Sequence, residues 1–260
     1  TAPAAPTSTI PTKNTFLQQA KDVYGFTPDS SSESQFKKNY TDEAKKAGLT
    51  ADQIAGVYAF ETGGNGKLDD QPIRKDGTAI STALGYAQLL NATSVDVLAK
   101  HGEQFATELD AAGKPDKAAL VRKMAADAKG GGDTWAAQQA FAKTPQGRAM
   151  QAANLDVDIG PKMQIQMLKD IETHAGKLGV TDLTPAKMEL MNLAGDENGV
   201  AMMQRPELPT ANFFDRAGYE ANPVARGQTG GGLLQRIDHD MIELGNKQGV
   251  LDLRAAYTSN

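Results

Sequence analysis

Thr50-Ala51-Asp52-Gln53-Ile54-Ala55-Gly56-Val57-Tyr58-Ala59-Phe60-Glu61-Thr62-Gly63-Gly64 is the stretch that decides how this chain is read. Thr50 is a good N-cap, and Asp52 complements the positive end of a helix that starts there. Gly63, Gly64 and Gly66 end it. Counting back from Glu61 in steps of three and four, Ile54, Val57 and Tyr58 share its helical face. A carboxylate thus stands on the stripe that ought to be buried. Lost hydration and the negative end of the helix dipole both disfavour its charged form and raise its pKa. A glutamic acid kept protonated near neutral pH is a proton donor. The alternative is a helix-end glutamate that reaches into water.

Working outward, the composition suits a mainly α protein. Of 260 residues, 40% are hydrophobic and 23% charged, as in ordinary globular chains. Alanine, leucine, lysine, glutamine and methionine all favour helix. The formal net charge is -5, and no lysine or arginine cluster offers the concentrated positive charge a nucleic-acid surface needs. No apolar run is long enough to cross a bilayer. Cysteine is absent, so disulfides and thiolate metal sites are excluded, but no compartment is selected. Residues 1–14 read as a flexible Pro/Thr/Ala-rich tail. A processed export precursor would leave such a tail, and so would an arbitrary starting point. Residues 15–260 read as a single helical domain.

Periodicity and punctuation divide that domain. Phe16, Ala20, Val23 and Tyr24 predict a helix over 15–30, and a lysine-rich helix over 35–47 ends at Gly48. After Glu61, Ile73-Arg74-Lys75 and Thr78-Ala79-Ile80 flank Asp76-Gly77, which predicts a small β-hairpin or a long loop. Gly85-Tyr86-Ala87-Gln88-Leu89-Leu90 leads into a helix that Thr93 or Ser94 caps. Three alanine-rich helices fill 103–150, divided at Gly113-Lys114-Pro115 and Gly130-Gly131-Gly132. Further helices are expected over 155–175, over 185–195 with Thr184 as N-cap and Pro185 at its start, and over 233–245.

The order of three segments is informative. Glu61-Thr62-Gly63-Gly64 comes first, then Ala83-Leu84-Gly85-Tyr86-Ala87-Gln88-Leu89-Leu90, then Met191-Asn192-Leu193-Ala194-Gly195. This order resembles the lytic transglycosylase family of SLT-type peptidoglycan lyases, with its goose-type-lysozyme-like fold. That family has a Glu-Ser pair ending a helix, a Gly-Leu-Met-Gln-like segment and a Tyr-Asn-Ala-Gly-like segment. Asn154-Leu155 and Ile159-Gly160 are similar to the Asn-Ile…Gly element that lies between the last two. The resemblance spans roughly residues 50–225. Thr62 stands in place of serine, Tyr86 and Ala87 in place of Leu and Met, and Met191 in place of tyrosine. The loop from Glu61 to Gly85 is long, and about 101–150 looks like a helical insertion.

The resemblance implies a periplasmic or secreted enzyme acting on peptidoglycan strands, with no cofactor and no metal. Glu61 aligns with the single catalytic acid/base, beside Thr62. Gly85, Tyr86 and Gln88 align with the sugar cleft, where Tyr86 would line the groove. Asn192 aligns with an asparagine near the cleaved linkage. The chemistry suits these residue types. Breaking a β-1,4 bond between N-acetylmuramic acid and N-acetylglucosamine requires protonation of the leaving oxygen. Where the substrate's N-acetyl carbonyl stabilises the cationic centre, no second enzyme carboxylate is needed. The resulting glutamate then takes the 6-hydroxyl proton, and ring closure gives a 1,6-anhydro end. Neutral donors such as Gln88 and Asn192 suit acetamido sugars. Each also has a structural reading: Gln88 bonding the backbone, Asn192 capping its helix, Tyr86 in the core.

Other readings stand beside this one. Asp69 or Asp70 would be the second carboxylate of an ordinary two-acid hydrolase on the same scaffold. A glycan-binding or envelope-assembly module without activity is a different class again. Asp196-Glu197-Asn198-Gly199 lacks calcium-loop spacing and reads as a turn. His101, His174 and His239 share no ligand spacing. Asp238-His239-Asp240 has no accompanying nucleophile elbow and reads as a solvated helix face.

Overall fold

The structure is a computed structural model that describes residues 10–259, apart from the side chains of Ala217 and Ala221. Residues 1–9 of the expected tail lie outside the described residues. The remainder leads directly into a helix: Gln71 accepts from the Lys13 N–H at 2.6 Å and donates to the Pro11 carbonyl at 3.0 Å.

The described residues form thirteen α-helices and no strand. In chain order these are α1 (Lys13–Tyr24), α2 (Glu33–Ala47), α3 (Ala51–Thr62), α4 (Asn91–Ala111), α5 (Pro115–Gly130), α6 (Trp135–Phe141), α7 (Pro145–Gln151), α8 (Gly160–Lys177), α9 (Pro185–Ala194), α10 (Asp196–Gln204), α11 (Arg216–Ala221), α12 (Gly230–Leu244) and α13 (Gln248–Thr258). The mainly α class is therefore as read from composition. No helix among the described residues is long and apolar enough to cross a membrane.

The segment 62–82 is a long loop and not a hairpin. One isolated antiparallel bridge joins Ile73 to Ala79 around Gly77, whose φ is +83°. The Asp76 carboxylate accepts from the Thr78 N–H and hydroxyl, and backbone bonds from the Gly77 N–H to the Arg74 carbonyl and from the Arg74 N–H to the Thr78 carbonyl complete the turn. Ile73 and Ile80 are 60% and 49% exposed. With no apolar face to bury, the two triplets have nothing to hold a ladder together.

Contacts divide the chain into two compact units, each assembled from two segments. The first holds the chain up to Phe36 together with Lys67–Met163. Here α4 and α5 pack so closely that a Cβ on Gly102 would lie 2.6 Å from that of Ala125, and α1 packs on α7. A buried polar network runs through this unit. Ser94 donates to Gln151 Oε1 at 2.6 Å, and Asn154 donates to Ser94 at 2.7 Å. Gln151 Nε2 in turn donates to the carbonyls of Thr82 and Leu89, at 2.6 and 2.7 Å. One buried amide thus pins both ends of the Ala83–Gln88 segment.

The second unit holds Lys37–Gly66 and the chain from Gln164 onward. Its central element is α3, which packs on α9, α12 and α13. Residues Gln53 to Ala59 are all buried, so α3 is enclosed on every side and carries no single stripe. Thr50 and Gln53 form a reciprocal capping box, and Gln53 Nε2 also donates to the Leu183 carbonyl at 3.1 Å, just before α9. Gly56 allows the close approach: a Cβ there would meet that of Pro185 at 2.8 Å. Leu190, Met202, Leu233, Ile237 and Met241 build the surrounding core.

The C-terminal end of α3 is fixed by its own groups. Thr62 Oγ1 donates to the Tyr58 carbonyl at 2.6 Å, Gly63 takes a left-handed conformation, and Tyr58 donates to the Gly66 carbonyl at 2.7 Å. Gly249 of α13 seats against this end. A Cβ there would sit 2.7 Å from the Tyr58 hydroxyl and closer still to the Gly64 carbonyl oxygen. Gly249→Ala is expected to destabilise this unit by about 2 kcal/mol through overpacking. Chemical denaturation checks this, and a variant as stable as the parent refutes the contact.

Candidate functional site

Glu61 occupies the last turn of α3, half-buried, on the helix whose other residues from Gln53 to Ala59 are fully enclosed. Across the α3–α9 contact, Asn192 Nδ2 donates to Glu61 Oε1 at 2.9 Å. The fold thus joins two residues 131 positions apart that the sequence singled out separately.

A third side chain completes the group. Glu189 lies three residues before Asn192, hence on the same face of α9. It is 0% exposed. Its carboxyl is hydrogen-bonded to that of Glu61, and both its oxygens lie 3.5 Å from Asn192 Nδ2. Two carboxyls in contact cannot both ionise in a desolvated place without strong repulsion. Burial pushes Glu61 up to about 7, against smaller opposing effects of its hydrogen bonds from Glu189 and Asn192. Burial pushes Glu189 well above the usual carboxylate range, and the neighbouring Glu61 charge adds to this. The fully buried Tyr40 of α2 feels both carboxyls, and its phenol is pushed up by burial first and by them second.

Glu189 is absent from the residues singled out in the sequence. The signal for it was a lone glutamate inside Met188-Glu189-Leu190-Met191, at helical spacing from Asn192. Helix α9 starts as read, with Thr184 Oγ1 accepting from the Lys187 N–H and Pro185 in the first turn. Its apolar neighbours carry Glu189 inward with them.

No family model, curated protein or solved structure matches the chain.

Thr62 uses its hydroxyl to close its own helix and to accept from the Gly64 N–H. Gly85, Tyr86 and Gln88 belong to the first unit, where reciprocal hydrogen bonds between Leu84 and Leu89 close a tight loop. Gly85 has φ +84° and Gln88 φ +46°, the one non-glycine residue with positive φ among those described. Gln88 Nε2 donates to the carbonyls of Gly85 and Asp70, at 2.7 and 3.1 Å. Its amide nitrogen therefore shapes the loop, the backbone-bonding role anticipated for it. Tyr86 is 1% exposed, with its ring edge-on to Phe36 and its hydroxyl donating to Glu33. The ring is a core element here and offers no face to a sugar.

Asp69 pairs with Lys13 at 2.5 Å. Asp70 is pushed up by partial burial and by Asp69, against the pull of Lys13. Asp196–Gln204, read as opening in a turn, forms α10. Gly195 at φ +83° redirects the chain, and Gly199 packs on Met191, where a Cβ would come within 2.8 Å of its Cα. His174 pairs with Asp196 at 2.8 Å, and His239 lies exposed on α12. Among the described residues no group of three or more acidic or histidine side chains is arranged to hold a metal ion.

The carboxyl pair links stability to pH. A carboxyl whose pKa is higher in the fold than in the unfolded chain contributes fully below its unfolded value. That contribution is lost as pH rises through the folded value. For Glu61 the window runs from 4.5 to about 7, and Glu189, raised by burial in the same direction, adds to the loss. Denaturation midpoints should therefore fall as pH rises across neutrality, and Glu189→Gln, which removes one ionisation, should flatten the decline. A midpoint that climbs over the same range contradicts the raised carboxyl pair.

Proposed function

We propose that this chain is a glycan-cleaving enzyme of lysozyme-like, lytic-transglycosylase type that acts on peptidoglycan, with Glu61 as its single acid/base. The observation that carries this reading is a half-buried glutamic acid, raised to about 7 and held by Asn192 at 2.9 Å. A group that titrates near the working pH can both give and take a proton with little driving force wasted.

Glu189 does not fit the part of a second catalytic carboxylate. Two-acid glycosidases separate their carboxyls by about 5–9.5 Å, so that a sugar carbon, with or without a water, fits between them. Glu61 and Glu189 are in hydrogen-bonding contact, and Glu189 is fully enclosed. No substrate atom fits between them. In this reading one acid acts twice. Protonated Glu61 gives its proton to the leaving glycosidic oxygen as the C1–O bond breaks. The Glu61 carboxylate next takes the proton of the 6-hydroxyl, whose oxygen closes on C1. The substrate's own N-acetyl carbonyl would stabilise the cationic centre between these steps. The products are a free 4-hydroxyl on one sugar and a 1,6-anhydro end on the other, with no water consumed. The partner is the glycan strand of the bacterial envelope, which places the protein in the periplasm or outside the cell.

Glu61→Gln cannot donate a proton and should lower turnover of purified sacculi by at least about a thousandfold, the upper part of what acid/base catalysis contributes. Circular dichroism should leave its fold unchanged. Mass spectrometry of the parent's products should find anhydro ends. Reducing ends would instead favour a water-using hydrolase, and an active Glu61→Gln would remove Glu61 from the chemistry.

A further inference from the structure

The reaction proposed above leaves Glu189 without a task. A fully buried carboxyl is a costly thing to keep in a core built of Leu190, Met202 and Ile237. An apolar residue would fill the same place on α9 without needing a hydrogen-bond partner. Its surroundings show what it offers. Its carboxyl is in hydrogen-bonding contact with that of Glu61, and both its oxygens lie at the edge of hydrogen-bond range from the same Asn192 amide that grips Glu61. Glu61 reaches the helix end and is part-exposed, whereas Glu189 is sealed. Of the two, only Glu61 can meet a substrate.

We infer that Glu189 is a positioning residue that stays neutral and donates its O–H to Glu61, so that Glu189 and Asn192 together form a two-donor cradle for the Glu61 carboxylate created by proton delivery. The inference rests on Glu61 being the acid/base. The proton account is simple. The Glu61 proton leaves to the glycosidic oxygen, the Glu189 proton remains on Glu189, and the negative charge left on Glu61 is met by one O–H and one N–H. When Glu61 takes up the 6-hydroxyl proton, the cradle returns to its starting state. A charge that develops in the reaction is thus received by donors already in place, and little reorganisation is required.

The ionisable surroundings are consistent with a neutral Glu189. From α2 the Tyr40 phenol feels both carboxyls and is itself held in its protonated form. From α3 the neighbour is Glu61, whose negative charge favours retention of the proton on Glu189. The other helices packed on α3 or α9 carry ion pairs of their own. His174 with Asp196 lies at the start of α10, Arg236 with Asp240 on α12, and Arg254 of α13 with Asp52. No lysine or arginine is hydrogen-bonded to either carboxyl among the described residues, as would be expected if Glu189 were an anion.

The test compares Glu189→Leu, which has no donor, with Glu189→Gln, whose amide N–H₂ can replace the O–H. Turnover of sacculi is followed across pH for the full chain. Loss of a hydrogen bond to a charged group makes Glu61 a weaker acid. Glu189→Leu should move the alkaline limb of the kcat profile upward by about one unit and lower its plateau roughly tenfold. Glu189→Gln should recover most of the lost rate and hold the limb near its parental position. If the limb moves downward in Glu189→Leu, Glu189 was an anion opposing Glu61, and the inference is overturned. Coincident profiles for the two variants overturn it as well.

An infrared measurement separates this outcome from failure of the catalytic reading. The C=O stretch of a protonated carboxyl should persist in the parent about two pH units above the Glu61 titration and vanish in Glu189→Gln. If the band persists but sacculi are never cleaved, the neutral donor stands and the proposed reaction falls. If the band is absent at that pH, the neutral donor falls whatever the activity. The circular dichroism spectrum and denaturation midpoint of Glu189→Leu show whether that variant has kept its fold.

Discussion

One amide group, Asn192 Nδ2, lies between two carboxyls that water does not reach equally, and the second unit is organised around that contact. For Glu61 and Glu189 to meet, α3 and α9 must approach more closely than ordinary side chains allow. Gly56 against Pro185 makes this possible, and Gln53 fastens the start of α3 to the chain entering α9. The far end of α3 is then fixed by Thr62, Gly63 and the Tyr58 hydroxyl. The first two contacts limit sliding of α3 relative to α9, and the others fix the turn that carries Glu61. A hydrogen bond of 2.9 Å between side chains on two helices requires such restraint, since helical side chains otherwise sample several rotamers. The site is precise because the elements that carry it are held by groups outside it.

The first unit solves a comparable problem with neutral groups. Backbone bonds between Leu84 and Leu89 close the Gly85-Tyr86-Ala87-Gln88 loop, in which Gln88 adopts a left-handed conformation that costs a non-glycine residue about 1–2 kcal/mol. The compensation is local and nearly complete. Gln88 Nε2 spans the loop, Gln151 grips both of its ends, and Ser94 and Asn154 hold Gln151 in turn. A strained glutamine surrounded by fixed polar groups persists because the network overdetermines it.

What was legible in the sequence follows from how local each signal is. Thr50, Thr184 and Pro185 act within one turn of helix, and α3 and α9 start where those residues place them. The type of α1 was legible, and its end at Gly25 lies short of the expected residue 30 because a left-handed glycine terminates it. Four helices stand over 103–150 where three are expected, because the stretch after Gly132 is divided into α6 and α7 where Thr144 caps a new helix that starts at Pro145, while α4 runs unbroken from Asn91 to Ala111. Helix α12 starts inside the glycine triplet because Thr229 caps it through the Gly232 N–H, which outweighs the glycines' poor propensity. The apolar triplets around Asp76-Gly77 satisfied the hairpin pattern but lacked a surface to bury. That information lies in the rest of the fold and not in the six residues.

The same distinction separates Glu61 from Glu189. Glu61 shares a helical face with Ile54, Val57 and Tyr58 just before a run of glycines, a signal contained in a few turns of chain. Glu189 sits mid-helix between methionine and leucine, where sequence reasoning treats a glutamate as the solvated member of an amphipathic pattern. Nothing local says which way it points. Its direction is set by α9 being enclosed between α3, α10 and α12, a tertiary fact. A core of this composition would be at least as stable with an apolar residue there. Proteins commonly sit above a stability threshold and not at an optimum, so a destabilising group persists when it does something an apolar one cannot. The neighbour that would notice the difference is Glu61, because Glu189 touches its carboxyl and is sealed from everything a substrate could reach. A buried acid whose partner is the proposed catalytic acid therefore points to its purpose through that partner.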